Sequence, residues 1–381
     1  MIDWTKSMSQ TYEFYIVNPY TGMDKQKLYN VTGASVTRDL QSDTQVSGSI
    51  EYDGELGEVY VRVYLVAEQG DEHEKVPLIT MLCQTPSTSF NGKYKKTSIT
   101  GYSPLIELQN SYPPFGYTIP KAKTNYASTD TERLDNMIFE LCQSNMRTSV
   151  LSIGEDLSDT QKAKITEPIV SDPQQTWFDI ISQLLGLTDY MFKITPMGVT
   201  YFEKKPKLNR MAPIWTYDTQ NSSILSADIS IDRDIYGIPN VIEVIVTSAT
   251  ETGYVMNVVV ENNDINSPTS IPSRGRRVVQ RIVNPEDIGK LAPNSEDVIR
   301  EYANNILEKA NELSYTVNYK HGYCNVNIGD CVKINYPEAG LDNIKALVIN
   351  QKIDCKTGCE VEETAIFTRK LFEGGTSNAG L

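Results

Sequence analysis

The sequence predicts an α+β fold that is mainly β, in which two β-rich regions flank a smaller region that contains helices. Three observations support this. Apolar and polar residues alternate with a period of two over much of residues 1–105 and 214–372. Apolar residues recur at helical spacing only between those regions and once near residue 300, and turn-forming residues separate the runs. We therefore predict regions 1–105, 106–213 and 214–372, followed by a flexible tail of small residues, 373–381.

The first region contains four alternating runs that predict antiparallel strands arranged as a barrel. They cover residues 12–17, 31–37, 46–52 and 59–66. In the last run, Val59, Val61, Val63 and Leu65 share one side, which we predict to be the core side. Residues 51–75 carry eight acidic and two basic side chains and are predicted to form a loop or a strand edge.

The second region begins with a predicted stiff connector, residues 110–127, which contains two consecutive prolines in Tyr112-Pro113-Pro114-Phe115-Gly116. A first helix is predicted to begin near Ser128 or Asp130. It carries an apolar stripe at helical spacing, formed by Leu134, Met137, Ile138, Leu141 and Cys142.

A second helix and a hairpin complete this inserted α+β unit. Asp172 is the predicted N-cap, Pro173 the first helical residue and Gly186 the stop. The predicted buried face of the helix consists of Trp177, Ile180, Ile181, Leu184 and Leu185. Residues 190–202 predict a β-hairpin with its turn at Pro196-Met197-Gly198.

The third region is predicted to be a second barrel, interrupted by a loop and a long helix at residues 261–313. Its predicted strands cover residues 224–231, 240–246, 254–260, 315–319, 328–334, 346–353 and 363–367. The helix is predicted over 295–313, with Asn294 or Ser295 as its cap, and is expected to lie on the second barrel.

Composition excludes several classes of protein. The chain has 381 residues, with 35 Lys and Arg against 49 Asp and Glu, so its net charge is −14 and its pI is about 4.8. This acidic balance argues against a protein that binds nucleic acid over its whole surface. Arg274, Arg276 and Arg277 form one basic cluster, which fits a solvated loop or an inter-chain salt bridge better than a phosphate site. No apolar run is long enough to cross a bilayer, and the N-terminus does not resemble a secretory signal.

The sequence offers little catalytic chemistry. His73 and His321 are the only histidines, and His73 is predicted to be solvated in an acidic loop. His321 and Cys324 form a conceivable dyad, but residues three apart in an extended strand point to opposite faces, so a bulge would be required for them to meet. No nucleophile elbow, phosphate loop, zinc-protease motif or dinucleotide fingerprint is present. We therefore predict no catalytic residues, no cofactor and no enzymatic activity.

Four of the six cysteines lie close together in the sequence, at Cys324, Cys331, Cys355 and Cys359. Three interpretations are open for them: a structural zinc site, a disulfide within the group, or ordinary reduced thiols. Only the last pair has the short spacing of a zinc knuckle, so reduced thiols are favoured and no metal is predicted.

The order of these elements resembles that of the phage tail baseplate hub proteins, also called tail-associated or tail-tip proteins. Several stretches carry the resemblance between residue 1 and about residue 372. They are Ala34-Ser35-Val36-Thr37-Arg38-Asp39, Gly48-Ser49-Ile50, Tyr102-Ser103-Pro104-Leu105, Asp234-Ile235-Tyr236-Gly237-Ile238-Pro239-Asn240, Asn266-Ser267-Pro268-Thr269-Ser270, Tyr319-Lys320-His321-Gly322-Tyr323-Cys324 and Ile328-Gly329-Asp330-Cys331-Val332.

The resemblance implies a homotrimer whose two similar β-barrels per chain alternate around a ring. Such a ring joins a hexameric tail tube or distal tail protein to a threefold tip, and surrounds the channel that DNA crosses on ejection without specific binding. The implied partners are copies of the chain, a distal tail or tail tube protein, a tape measure protein and tip spike or fibre proteins. The implied location is the distal end of the tail in the virion, after assembly in the host cytoplasm.

The resemblance also brings an alternative, because some members of the family are described as tail endopeptidases and others carry lytic domains. In this sequence the last strand-like run ends near Phe372, and we expect no appended lytic or fibre domain. A structural hub is therefore the favoured prediction, and a tail-associated peptidase acting on the host cell wall is the alternative.

Overall fold

A computed structural model describes most of the chain. The described residues are 2–90, 92, 95–120, 133–155, 157, 165, 168–220, 223–233, 235–247, 255–285 and 296–370. The predicted tail, the predicted start of the first helix and the predicted cap at residue 294 or 295 lie outside them.

Strands dominate the described residues, which confirms the predicted α+β, mainly β class. The strands are β1 (Ser9–Val17), β2 (Asp24–Leu28), β3 (Val31–Asp39), β4 (Val46–Tyr52), β5 (Tyr60–Gln69), β6 (Glu72–Phe90), β7 (Lys95–Tyr102), β8 (Thr118–Ile119), β9 (Ile169–Val170), β10 (Tyr190–Ile194), β11 (Thr200–Lys204), β12 (Trp215–Asp218), β13 (Leu225–Asp232), β14 (Val241–Thr247), β15 (Val255–Glu261), β16 (Val279–Val283), β17 (Glu312–Gly322), β18 (Cys331–Tyr336), β19 (Leu341–Asp354) and β20 (Glu360–Lys370). The helices are α1 (Ile106–Gln109), α2 (Leu134–Asn145), α3 (Trp177–Gly186), α4 (Ile271–Arg274) and α5 (Glu296–Ala310).

The largest sheet has 13 strands, and its main path runs β13-β17-β20-β19-β3-β4-β7-β6-β5-β1-β2, with β12 and β18 attached beside β19. The order of the strands has two ends and a branch at β19, and no closed barrel is shown among the described strands, so the two predicted barrels stay a prediction. The long strand β19 explains the branch, because it pairs with β18 along its first half and with β3 along its second half. A strand shared in this way continues the sheet from the third predicted region into the first.

The chain divides into two compact units. One consists of residues 1–229 and 318–365, and the other of residues 230–317 and 366–381. The core of the first unit places Tyr323, Ile353 and Val361 against strands of the N-terminal region. A separate core lies around α2 and α3. The boundaries at 105 and 213 remain a prediction.

The second unit contains a three-stranded sheet, in the order β15-β14-β16, that is covered by α5. Ile299, Ala303 and Leu307 form the buried side of α5 and pack on the apolar face of β14 and β15. The helix thus packs on two strands of the third predicted region, as expected, but these strands belong to a small sheet of their own and not to the 13-stranded sheet. The helix also ends earlier than predicted, at Ala310, and β17 begins two residues later at Glu312.

Three other predictions need correction. Strand β5 is buried on both faces, since Tyr60, Arg62 and Tyr64 are covered as well as the valines opposite them. The acidic loop that was predicted around His73 is only a two-residue turn, because β5 and β6 pair as far as Gln69 and Glu72. The stretch after residue 261 was predicted to be a loop, but it contains α4 and β16. Strand β16 pairs in parallel with β14.

The two inserted helices bury the faces that the sequence predicts, but α3 begins later than predicted. The apolar stripes of α2 and α3 are packed in their shared core, as expected. The N-cap of α3 is Thr176 rather than Asp172, because Thr176 and Asp179 form a reciprocal capping box, whereas Asp172 belongs to a preceding turn. The helix ends at Gly186 and the β10–β11 hairpin forms as predicted.

Candidate functional site

The only potential catalytic dyad in the sequence lies inside a buried network of polar side chains. His321, on β17, places Nε2 3.3 Å from a carboxylate oxygen of Glu363, on β20, and 3.1 Å from the Tyr217 hydroxyl. The same hydroxyl lies 3.3 Å from Cys324 Sγ. His321 Nδ1 lies 4.0 Å from Cys324 Sγ. The two dyad residues therefore do meet, because β17 ends at Gly322 and the alternation of strand faces no longer applies at Cys324.

Glu363 also accepts hydrogen bonds from two other buried side chains. Tyr319 donates its hydroxyl to one carboxylate oxygen, and the Gln351 amide donates to the other at 2.6 Å. Arg38 extends the network, since its guanidinium donates to Gln351 at 3.1 Å and to the Asn327 amide oxygen at 2.8 Å. The network thus connects β3, β12, β17, β19 and β20.

The surroundings of His321 favour its protonated form. Nδ1 lies 2.7 Å from the Gly322 carbonyl, which only accepts, and Nε2 lies within 3.3 Å of both the Glu363 carboxylate and the Tyr217 hydroxyl, so both nitrogens can donate. Burial by itself lowers the pKa of His321, but hydrogen bonds with Cys324 and Glu363 together with the Glu363 charge raise it to about 10. The imidazole is therefore a cation at neutral pH.

This arrangement does not suit nucleophilic catalysis. A catalytic thiol must be reachable by the substrate, whether it is activated by a neutral base or by an adjacent imidazolium. His321, Cys324, Tyr217 and Glu363 are all buried, so no surface group of a substrate reaches them. His73, the other histidine, lies on β6 as an exposed strand residue.

A second group of polar side chains surrounds a partly open cavity of about 160 Å³. Lys193, on β10, lies in its wall and donates to the Ile328 carbonyl at 2.6 Å. Burial lowers the pKa of Lys193 and raises the pKa of Asp330, which also lines the cavity. The side chain of Gln45 donates to the Phe192 carbonyl at 2.6 Å nearby. These contacts join the inserted hairpin to the segments just before β4 and β18.

The arginine cluster binds groups of its own chain. Arg274 donates to the carbonyls of Ile235 and Ile238. Arg277 forms an ion pair with Glu261 at 2.7 Å, and the Arg276 guanidinium lies 5.4 Å from the centre of the Tyr236 ring. These contacts position all three guanidinium groups within their own chain, and the charge of Arg277 is balanced by the Glu261 carboxylate.

All six cysteines are free and buried in the structure, and the preference for reduced thiols stays a prediction. Burial raises the pKa of Cys83 and Cys142 to about 12. Within the described part of the chain, no three His, Cys, Asp or Glu side chains are grouped so that they could hold a metal ion.

The described helices are too short or too polar to span a membrane.

Sequence reasoning missed Arg38, Tyr217, Gln351 and Glu363. The alternation of side chains along β20 was the available signal. Glu363 lies two residues from both Val361 and Ala365, which are buried, so it is a charged residue on the same core face. The alternation reveals such a residue but not its partners, because those lie on other strands.

The fold is similar to those of two solved tail proteins. One is the tail protein from Neisseria meningitidis MC58, with 10% identity, a TM-score of 0.56 and coverage of 94% of this chain and 97% of that one. The other is the 43 kDa tail protein of prophage MuSo2 from Shewanella oneidensis, with 10% identity, a TM-score of 0.57 and coverage of 94% and 98%. No protein-family model matches the sequence, and the comparison with curated proteins gives no match. The resemblance to phage tail proteins is thus confirmed at the level of the fold.

Proposed function

We propose that this protein is the structural hub of a phage tail tip or baseplate. In this proposal three copies form a ring that joins the hexameric tail tube or distal tail protein to a threefold tip. The ring surrounds the DNA ejection channel, at the distal end of the tail. The tape measure protein and tip spike or fibre proteins are the other partners.

One observation carries the proposal: the fold agrees with two tail proteins over nearly the whole length of both chains in each comparison. An agreement of that extent covers all three predicted regions and not a single common motif. Since fold alone does not define function, the chemistry of the chain supplies the second argument.

The described chemistry favours a structural role over the peptidase alternative. The His321–Cys324 pair is buried, so a substrate does not reach it in the described structure. In the proposed ring, three chains that each carry −14 would together carry −42, and an acidic channel wall would not retain DNA phosphates.

The mass of the purified protein tests this proposal. Light scattering over a concentration series should give three times the mass of 42.7 kDa, either for the protein alone or after addition of the adjacent distal tail or tail tube protein. A monomer in both series would contradict the hub. A peptidoglycan-cleavage assay with the same samples should show no activity, and cleavage that is lost in Cys324→Ala would favour the alternative.

A further inference from the structure

Four charged side chains line the cavity of about 160 Å³ beside Lys193. Two are cations, Arg38 and Lys193, and two are carboxylates, Asp330 and Glu203. All four belong to the first compact unit. The proposed ring does not use this cavity, and charges of both signs that converge on a partly open space are typical of a binding site.

The two cations are the most buried members of this set. Only 3% of Arg38 and 8% of Lys193 is accessible to solvent. Arg38 donates to the side-chain oxygens of Asn327 and Gln351 and to the Leu78 carbonyl. All three acceptors are neutral, so these contacts satisfy hydrogen bonds of the guanidinium but do not compensate its buried charge.

The described contacts of Lys193 use part of its hydrogen-bonding capacity. Its ammonium group carries three N–H donors. One donates to the Ile328 carbonyl at 2.6 Å, whereas a Glu203 oxygen lies 3.7 Å away, beyond hydrogen-bond distance. Burial lowers the pKa of Lys193, because these contacts replace only part of the water that an ammonium group binds outside a protein. An acceptor oxygen inside the cavity would therefore find donors there.

The two carboxylates are more exposed than the cations. The Glu203 side chain is 54% exposed, and Asp330 is half-buried. One Asp330 oxygen accepts from the backbone amide of Asn327 at 2.7 Å, and burial raises the pKa of this carboxyl group. The charge around the cavity thus changes from positive at its buried side to negative towards the solvent.

This distribution of charge fits a small molecule that carries both a carboxylate and an ammonium group. A simple anion would meet repulsion from Asp330 and Glu203, and a simple cation would meet repulsion from the two buried cations. Val46, Ile79 and Ile328 supply an apolar wall for a short aliphatic part. The volume also fits, because an engineered cavity of about 150 Å³ in another protein binds benzene, which is similar in size to alanine.

We propose that this cavity binds a small zwitterionic α-amino acid, whose carboxylate faces Lys193 and Arg38 and whose ammonium group faces Glu203. The bound molecule connects the β10–β11 hairpin, which carries Lys193 and Glu203, to the segment just before β18, which contains Asp330. The proposal goes beyond the hub and does not depend on it, because the site lies within one chain.

Calorimetric titration of the full-length protein with alanine, acetate and ethylamine tests this assignment. We expect alanine to bind with a Kd of about 1 mM, as suits so small a ligand, and to bind more tightly than either singly charged probe. Lys193→Met should weaken alanine binding by at least about 10-fold, because the carboxylate loses a charge-assisted hydrogen bond. Lys205→Met is the matched control, since Lys205 is an exposed lysine just after β11, and it should bind as the wild type does.

A second variant, Glu203→Gln, separates a zwitterion site from an anion site. Loss of this carboxylate should weaken alanine binding by about 10-fold, because the ammonium group loses its partner, and should strengthen acetate binding, because a repulsion is removed. The Glu203 side chain is half exposed, so this variant should unfold at the temperature of the wild type. It keeps the test decisive if Lys193→Met does not fold.

Each outcome decides the proposal. Alanine binding that weakens in Lys193→Met and in Glu203→Gln, but not in Lys205→Met, supports it. Acetate that binds as tightly as alanine overturns it and indicates an anion site. Alanine binding that Glu203→Gln leaves unchanged overturns it as well. If none of the three probes binds, the proposal is wrong and the charged side chains have a structural role only. The hub is tested separately, by the mass of the protein.

Discussion

Glu363 accepts hydrogen bonds from Tyr319, His321 and Gln351 in the interior of the first unit. An isolated buried carboxylate is costly, so its stability depends on these donors and on the His321 charge. The residues come from β17, β19 and β20, and the hydrogen bonds therefore favour one relative placement of these strands.

The His321–Glu363 pair makes stability depend on pH. The folded pKa of His321 is raised to about 10, above the value of 6.5 expected when the chain is unfolded. The folded state therefore binds the additional proton, and this stabilisation is complete below pH 6.5 and is lost as the pH rises towards 10. We expect the free energy of unfolding to fall across that window with a slope approaching about 1.4 kcal/mol per pH unit from this group.

Urea unfolding at several pH values checks this. His321→Asn should be less stable than wild type at pH 6.5 and should lack this component of the slope. His73→Asn, at the exposed histidine, is the control and should follow the wild type. An unchanged slope in His321→Asn would show that His321 is not the group responsible.

Arg62, on β5, is a buried cation. It binds groups of β6, of the β1–β2 hairpin and of the β10–β11 hairpin. Its guanidinium donates to Thr80 at 2.7 Å, to the Gly22 carbonyl at 3.0 Å, to Asp24 at 2.9 Å and to the Met197 carbonyl at 2.8 Å. We expect Arg62→Met to lower the free energy of unfolding by about 3 kcal/mol, because it leaves several acceptors without a donor. Denaturant titration should show this loss, whereas the exposed Lys25→Met should change stability by less than about 0.5 kcal/mol.

At the scale of elements, the sequence before α3 contains two candidate N-caps, Asp172 and Thr176. Asp172, Pro173 and Gln175 match a helix start, but the Asp172 carboxylate accepts from the Gln174 amide within a turn. Thr176 begins the helix because its amide donates to the Asp179 carboxylate at 2.8 Å while its hydroxyl accepts from the Asp179 amide at 3.3 Å. A helix that begins after Thr176 buries Trp177 and the apolar residues that follow it.

Substitution of the two candidate caps distinguishes them. Thr176→Ala should destabilise the protein by about 1 kcal/mol, the usual cost of removing an N-cap side chain. Asp172→Ala should have a smaller effect, since it removes only a turn contact. Thermal unfolding of the two variants measures the difference, and a larger loss in Asp172→Ala would place the functional cap there.

At the scale of the whole molecule, residues distant in sequence complete a common core. Residues 318–365 belong to the same unit as residues 1–229, and β19 pairs with β3. The N-terminal strands therefore rely on residues that follow the second unit in the chain, such as Ile353 and Val361.

A fragment of residues 1–229 should consequently fail to unfold cooperatively. Without residues 318–365 it loses the β3–β19 pairing and part of its core, so we expect a broad transition by circular dichroism and exposed hydrophobic surface. The intact chain, handled identically, is the control. A sharp transition in the fragment would show that the N-terminal strands form a complete core alone.

The identity of most elements is accessible from the sequence because it depends on local periodicity. Strands β4 and β14, the apolar faces of α2 and α3 and the β10–β11 hairpin follow from the spacing of apolar residues and from glycine at the turn. Burial on both faces of β5 was not accessible in this way. Alternation there indicates one apolar face, and the second face is covered by segments remote in sequence, including Met197, whose carbonyl binds Arg62.

By itself the sequence determined the α+β, mainly β class, the acidic character of the chain, the absence of familiar catalytic motifs and the resemblance to tail proteins. Each of these depends on composition or on residues near one another in the chain. Only the tertiary structure decided that the large sheet branches at β19, that α5 covers a separate small sheet, and that His321 meets both Cys324 and Glu363. The physical reason is that strand pairing and buried ion pairs join residues tens to hundreds of positions apart, and local patterning does not specify those partners.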